Sequence, residues 1–156
     1  MIQKSHNLKI AKTLALATVL GLSLANGANA AEALSVDLQA KQVVTENGKP
    51  VLKAVSRAKS GDVIQYQATY RNNLQKPMTN VALTIPVPAS MVYVSSSSPA
   101  PTQASLDGKK FENLPIMRKV NGKMVEVPAS QYRAVRWIVK TLPAQQSATV
   151  SIDTKV

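Results

Sequence analysis

Ten consecutive residues, Val63–Asn72 (VIQYQATYRN), alternate apolar and polar side chains from Ile64 onward. Ile64, Tyr66, Ala68 and Tyr70 fall on one face of an extended chain, and Gln65, Gln67, Thr69 and Arg71 on the other. Successive side chains of a strand point to opposite sides, so a period of two turns one face to a core and the other to water. A helix would scatter the same residues around its circumference. The pattern recurs. Leu34, Val36 and Leu38 alternate with Ser35, Asp37 and Gln39, and Val81, Leu83, Ile85 and Val87 share a face. Val135, Trp137 and Val139 share another, and Ala148, Val150 and Ile152 follow with Ser151 and Asp153 turned outward. Val51, Leu52 and Val55, and then Met91–Val94, give shorter strands.

Turn chemistry separates these runs. Asn47-Gly48, Ser60-Gly61-Asp62, Asp107-Gly108 and Asn121-Gly122 combine residues that form turns and tolerate positive φ. Pro86 and Pro88 end the strand before them or push it to a sheet edge, because proline donates no ladder hydrogen bond. Ser95–Pro101 (SSSSPAP) reads as a flexible polar connection. Beyond the amino-terminal thirty residues, no window keeps apolar residues at helical spacing for three turns. Short strands at intervals of about 8–12 residues, with turns between them, predict an all-β protein built as an antiparallel sandwich.

The amino terminus has a different grammar. Met1–Lys12 carries Lys4, Lys9 and Lys12 and no acid, Thr13–Leu24 (TLALATVLGLSL) is continuously weighted to apolar residues, and Ala28-Asn29-Ala30 offers small residues around a cleavage point. Those three segments in that order predict a secretory signal peptide over residues 1–30, removed before Ala31. The apolar run is about a dozen residues, short of the ~20 that a membrane-spanning helix needs. No Cys stands at the cleavage point to take a lipid, and no second long apolar segment follows, so no transmembrane anchor is expected. The expected location is therefore the periplasm, the cell surface or the medium.

From residue 60 onward a known pattern emerges. Gly61-Asp62-Val63-Ile64-Gln65-Tyr66, Tyr70-Arg71-Asn72-Asn73, Thr79-Asn80-Val81 and the proline-bearing Ile85-Pro86-Val87-Pro88 come first. Met91-Val92-Tyr93-Val94-Ser95, Val135-Arg136-Trp137, Thr141-Leu142-Pro143 and Ser147-Ala148-Thr149-Val150 complete it. Together they resemble the bacterial surface-repeat domain catalogued as domain of unknown function eleven. That family runs G-D-x-V-x-Y, a strand ending in Asn, N-V-x-V, a proline corner, and a late Trp strand leading into L-x-P-G-x-S. The resemblance spans Ser60–Val156 and implies an immunoglobulin-like β-sandwich of about seven strands. Residues 31–59 lie ahead of it, and the alternation of Leu34, Val36 and Leu38 reads as a further strand segment of the same sandwich. Such domains usually stand in tandem arrays in large envelope proteins, whereas this chain carries one copy. It also has Thr84 and Ile85 where an acid usually precedes the corner, Ala144-Gln145-Gln146 without the usual Gly, and an extra hairpin between Phe111 and Arg133. The family supplies no catalytic residues.

The chain's inventory narrows the chemistry further. It has 156 residues with no Cys, and its one His is His6, inside the predicted leader. The remaining 126 residues therefore offer no Ser-His-Asp triad, no Cys nucleophile, no haem ligand and no Cys/His zinc site. No cofactor is expected, and a calcium loop would need acidic or amide oxygens at alternate positions, a run this chain lacks. Asp62 and Asp107 sit beside Gly61 and Gly108, where Asp is a turn former, and Glu112 and Glu126 fall on hairpin arms among lysines, where charge pairing is the default. A hydrolytic carboxylate pair is the alternative, and the expectation is no enzyme. Trp137, Tyr66 and Tyr70 admit a ligand-platform reading, but their polar neighbours at alternate positions mark them as core.

One feature of the composition remains. The chain's 19 basic and 8 acidic side chains, less Lys4, Lys9 and Lys12, leave a net +8 on the exported part. Lys109, Lys110, Arg118, Lys119 and Lys123 crowd the extra hairpin, with Arg133, Arg136 and Lys140 on the next strand. Summed positive charge concentrates polyanions, so lipopolysaccharide and acidic glycan are candidate partners. Solubility and edge protection are the rival explanation. Specific nucleic-acid recognition is not expected, because it calls for exposed aromatics among the cations and only Tyr132 is placed to serve. A second candidate partner is another envelope protein, paired edge to edge through Ala31–Val44 or another strand. The expected function is a structural or adhesion module of the envelope or surface, with a periplasmic accessory protein binding extended peptides or anionic glycans and lipids as the alternative.

Overall fold

The computed structural model describes residues 32–156. The predicted signal peptide and its cleavage site lie outside the described residues. Within them the protein is all-β, and its strands pair antiparallel throughout. No helix among the described residues is long and apolar enough to cross a membrane.

Two sheets carry the body. The first has five strands, in the order β2 (Lys49–Ala54), β1 (Leu34–Glu46), β3 (Val63–Asn72), β11 (Ser147–Lys155) and β5 (Val92–Ser98). The second has four, in the order β4 (Met78–Pro86), β10 (Ala134–Leu142), β6 (Gln103–Ser105) and β7 (Phe111–Asn113). A separate ribbon pairs β8 (Met117–Val120) with β9 (Lys123–Glu126), followed by a 3-10 turn at Ala129–Gln131. The eleven strands exceed the seven or so that the resemblance implies. The surplus consists of short pieces around the extra hairpin and the β1–β2 arm.

Alternation builds the core. Ile64, Tyr66, Ala68 and Tyr70 of β3 are all buried, and across the ladder Tyr66 faces Ile152 and Ala68 faces Val150. On the second sheet Val81, Leu83 and Ile85 of β4 face Val139, Trp137 and Val135 of β10. The inner side chains of both sheets join one apolar cluster that also takes in Met91, Tyr93, Ala104, Ile116, Val127 and Tyr132. Buried polar groups are paired. Thr154 donates from Oγ1 to the Ile64 carbonyl at 3.1 Å, and Trp137 donates from Nε1 to the Pro99 carbonyl at 2.8 Å. Asn72, fully enclosed, donates through Nδ2 to the carbonyls of Lys76, Leu142 and Pro143 at 2.9, 3.1 and 3.0 Å, and its Oδ1 accepts the Leu74 N–H at 2.9 Å.

Three expectations need correction. Val36 and Leu38 share the inner side with Tyr70 and Ala68 of β3, yet they stay 43% and 45% exposed. The second sheet packs over β3 and β11, and of this face of β1 only Leu34 and Ala40 reach the core, so the stretch between them is apolar but largely uncovered. Ser95–Ser98 is not a flexible connection but the end of β5, where Ser97 faces Ile152 across a bulge. Ser96 Oγ donates to Asp153 at 2.6 Å, and Ser97 Oγ shares a 2.7 Å hydrogen bond with the Tyr93 hydroxyl, so side chains compensate for weak strand propensity. Tyr132 is not exposed. It is 3% accessible and stacks on Tyr93, with ring centroids 6.1 Å apart.

Candidate anion-binding surface

The cations cluster where the second sheet gives way to the ribbon. Asp107 organises the β6–β7 turn. Its Oδ1 accepts the backbone N–H groups of Lys109 and Lys110, each at 2.8 Å, and the Ser105 hydroxyl at 2.9 Å. Gly108 takes φ +77, which a residue with a Cβ adopts at a cost. The Lys109 N–H first, then those of Lys110 and Ser105 Oγ, hold the Asp107 carboxyl down to about 2. The sequence marked this Asp as a turn former, and the turn fixes where Lys109 and Lys110 stand.

Arg118, on β8, forks onto Glu112 of β7, one arm at 2.9 Å. That hydrogen bond holds the Glu112 carboxyl below, and the Arg118 guanidinium above, their usual ranges. Leu106, Asp107, Lys110, Glu112 and Arg118 line an open cleft of about 210 Å³. That is small against the 300–1,000 Å³ typical of sites for organic ligands, and its two cations meet two carboxylates. The cleft is therefore close to neutral. Uncompensated charge lies around it instead. Among the described residues the ion pairs are Arg118–Glu112 and Lys53–Glu46, so Lys109, Lys119, Lys123 and Arg133 stand outside the cleft without an acid partner, and Lys110 faces its carboxylates without closing an ion pair.

The seven predicted site residues do not share one surface. In the ribbon Arg118 faces Val125 and Val120 faces Lys123, so these four lie on one side, while Lys119 faces Met124 on the other. Phe111 and Glu112 likewise point to opposite sides of β7. Arg136 lies with Phe111, its guanidinium carbon 3.4 Å from the ring centroid, and its Nε donates to Thr84 Oγ1 at 3.1 Å. Both bonds tie Arg136 down as a clamp between β10 and its neighbours. Arg133 is exposed, and its backbone bonds to Ser105 and Val87 at 2.7 and 2.8 Å.

Sequence reasoning also missed that the ribbon exposes apolar side chains: Met117, Val120, Met124 and Val125 are 37%, 51%, 61% and 47% accessible. The signal was present as a hairpin apolar on both faces, with no face left over for a core. Among the described residues no group of three or more acids or histidines is arranged to hold a metal.

Two of the four sheet edges are blunted. Edge strand β2 carries Lys49, Pro50 and Lys53, and edge strand β4 ends in Pro86. Between the sheets the Tyr70 hydroxyl donates to the Thr84 carbonyl at 2.6 Å and accepts the Thr84 N–H at 3.1 Å, filling the outward backbone groups at the middle of β4. Compared with known proteins, the chain matches no family model, no curated protein and no solved structure.

Proposed function

We propose that this chain is an exported, non-enzymatic module of the bacterial envelope or cell surface, an immunoglobulin-like β-sandwich akin to the surface-repeat domain, that adheres through polyanions. The observation that carries the reading is the imbalance of charge at the ribbon end. Lys109, Lys110, Lys119 and Lys123 form no ion pair, and of the carboxylates around them Asp107 is engaged by the turn and Glu112 by Arg118, which leaves Glu126 at the ribbon's stem against four lysines. Solvated cations spread over several faces suit a long flexible polyanion, such as acidic glycan or lipopolysaccharide, better than one small ligand in a pocket. The leader-like amino terminus supports export, and an exported part without His or Cys supports binding over catalysis.

The accessory-protein reading, in which a strand edge takes up an extended peptide, is the weaker one. At the β2 and β4 edges, Pro50, Pro86 and the Tyr70 hydroxyl on Thr84 remove backbone groups an added strand would use. Heparin chromatography tests the proposal. Replacing Lys109, Lys110, Lys119 and Lys123 by Ser is expected to shift elution to distinctly lower salt, with thermal unfolding unchanged. Equal retention of the variant and the parent at low salt refutes it.

A further inference from the structure

We infer that the β8–β9 ribbon is a membrane-contact device, entering the interface of an anionic lipid bilayer tip first. The inference rests on the polyanion reading and names one partner for it. The ribbon is anchored at its base and by Arg118 on Glu112 of β7, and its tip is free. Ile116 and Val127 are buried, and the Val127 N–H donates to the Ile116 carbonyl at 2.8 Å, closing the stem. Past that point every strand residue of β8 and β9 is exposed. Two-stranded ribbons are marginal in water, and a ribbon that holds four large apolar side chains in solvent has a surface suited to a less polar medium.

The arrangement of those side chains selects the partner. One face carries Arg118, Val120, Lys123 and Val125, and the other carries Met117, Lys119, Met124 and, at the stem end away from the tip, Glu126. A ribbon that docks flat on a protein needs one apolar face and one polar face. This one mixes apolar and cationic groups on both, which fits end-on entry, with lipid around the tip and lysine stems reaching back to the headgroups. Four residues of strand span about 13 Å, enough to carry Val120 and Met124 through the ~5–10 Å boundary where interfacial segments lodge. Lys119 and Lys123, free of acid partners, and Lys109 and Lys110 on the β6–β7 turn supply the complement to an anionic headgroup layer.

Co-sedimentation with vesicles tests this, using the protein in the form cells yield, its amino terminus read by intact mass. Vesicles are phosphatidylcholine alone or phosphatidylcholine with a quarter phosphatidylglycerol. The expected result is binding to the anionic vesicles only, part of it surviving 0.5 M salt. Val120→Ser with Met124→Ser is expected to lower vesicle affinity at least tenfold and abolish the salt-resistant part, while heparin retention stays unchanged. Lys119→Ser with Lys123→Ser should weaken vesicle binding roughly thirty-fold. Matching unfolding curves show that each variant is folded. If Val120→Ser with Met124→Ser binds the anionic vesicles like the parent, the tip does not enter lipid and the inference falls. Heparin binding without vesicle binding overturns the lipid inference and leaves the polyanion reading standing, whereas loss of both removes both. A dimer seen without vesicles and dispersed by Val120→Ser with Met124→Ser assigns the ribbon to a second copy of the chain and also overturns it.

Discussion

Asn72 gives the sharpest test of how the two sheets are joined. It ends β3, is fully buried, and reaches the loop after it through Lys76 and Leu74, and the end of β10 through Leu142 and Pro143. Its amide has two hydrogens for three carbonyls, so one hydrogen is shared, and the side chain makes about three full-strength bonds. Asn72→Leu keeps the branched shape, in a somewhat larger side chain, and removes all of them. At roughly 1 kcal/mol for each bond, the loss is about 3 kcal/mol. The Leu142 carbonyl, in the buried part of the site, stays without a partner and adds roughly 1–2 kcal/mol. The leucine returns about 1 kcal/mol of apolar transfer. The expected net loss is about 3 kcal/mol, a large share of the stability of a domain this size and roughly 12 °C in Tm.

Urea unfolding followed by the fluorescence of Trp137, the chain's only tryptophan and 3% exposed, measures it directly. The midpoint should fall with an unchanged m value, which marks lost native bonds rather than a changed unfolded state. Asn72→Asp should be worse than Asn72→Leu at pH 7, because a buried carboxylate would face three carbonyls. Burial would raise that carboxyl's pKa above its unfolded value, so the deficit should shrink as the pH falls and the carboxyl gains a proton to donate. A loss below about 1 kcal/mol for Asn72→Leu would show that water replaces these bonds and that Asn72 does not join the sheets.

Other substitutions probe the edge and the turn. Tyr70→Phe removes the hydroxyl from the Thr84 N–H and C=O, costs about 1–2 kcal/mol, and should yield higher-order species in size exclusion as the β4 edge opens; an unchanged monomer refutes the edge-plug role. Asp107 has a folded pKa of about 2, below its ordinary 3.8, so its contribution is present above pH 4 and disappears as the pH falls toward 2. Asp107→Asn should therefore be less stable than the parent at pH 6 and equal to it near pH 2, and an equal gap at both pH values in urea melts refutes this. Glu112→Gln frees Arg118 and should raise the salt needed to elute the protein from heparin, with little change in melting because exposed pairs contribute little.

How much of this was readable in advance depends on the range of the interaction that decides each feature. The buried faces of β3, β4, β10 and β11 follow from alternation alone, because a strand's two sides are a local property. Asn47-Gly48 and Asn121-Gly122 take positive φ at both residues, as their side chains imply. Val36 and Leu38 alternate just as clearly and stay exposed, since burial also requires a strand opposite and no local pattern reports one. Tyr132 looked solvent-facing among cations because its partner Tyr93 lies on another strand. Phe111 and Arg136 meet for the same reason, through a pairing of β6 with both β7 and β10 that the intervening hairpin hides.

The charged surface divides along the same line. A two-residue turn at Asn121-Gly122 sets Val120 opposite Lys123, and from that single pair the parity of every ribbon residue follows. Lys119 and Lys123 were therefore assignable to opposite faces from the sequence, whereas adjacency along the chain suggested one patch. The same register puts valine or methionine beside a cation on each face. A count of charges points to a polyanion. Their order around the turn, with apolar side chains between them, points to a polyanionic surface that has an apolar layer beneath it.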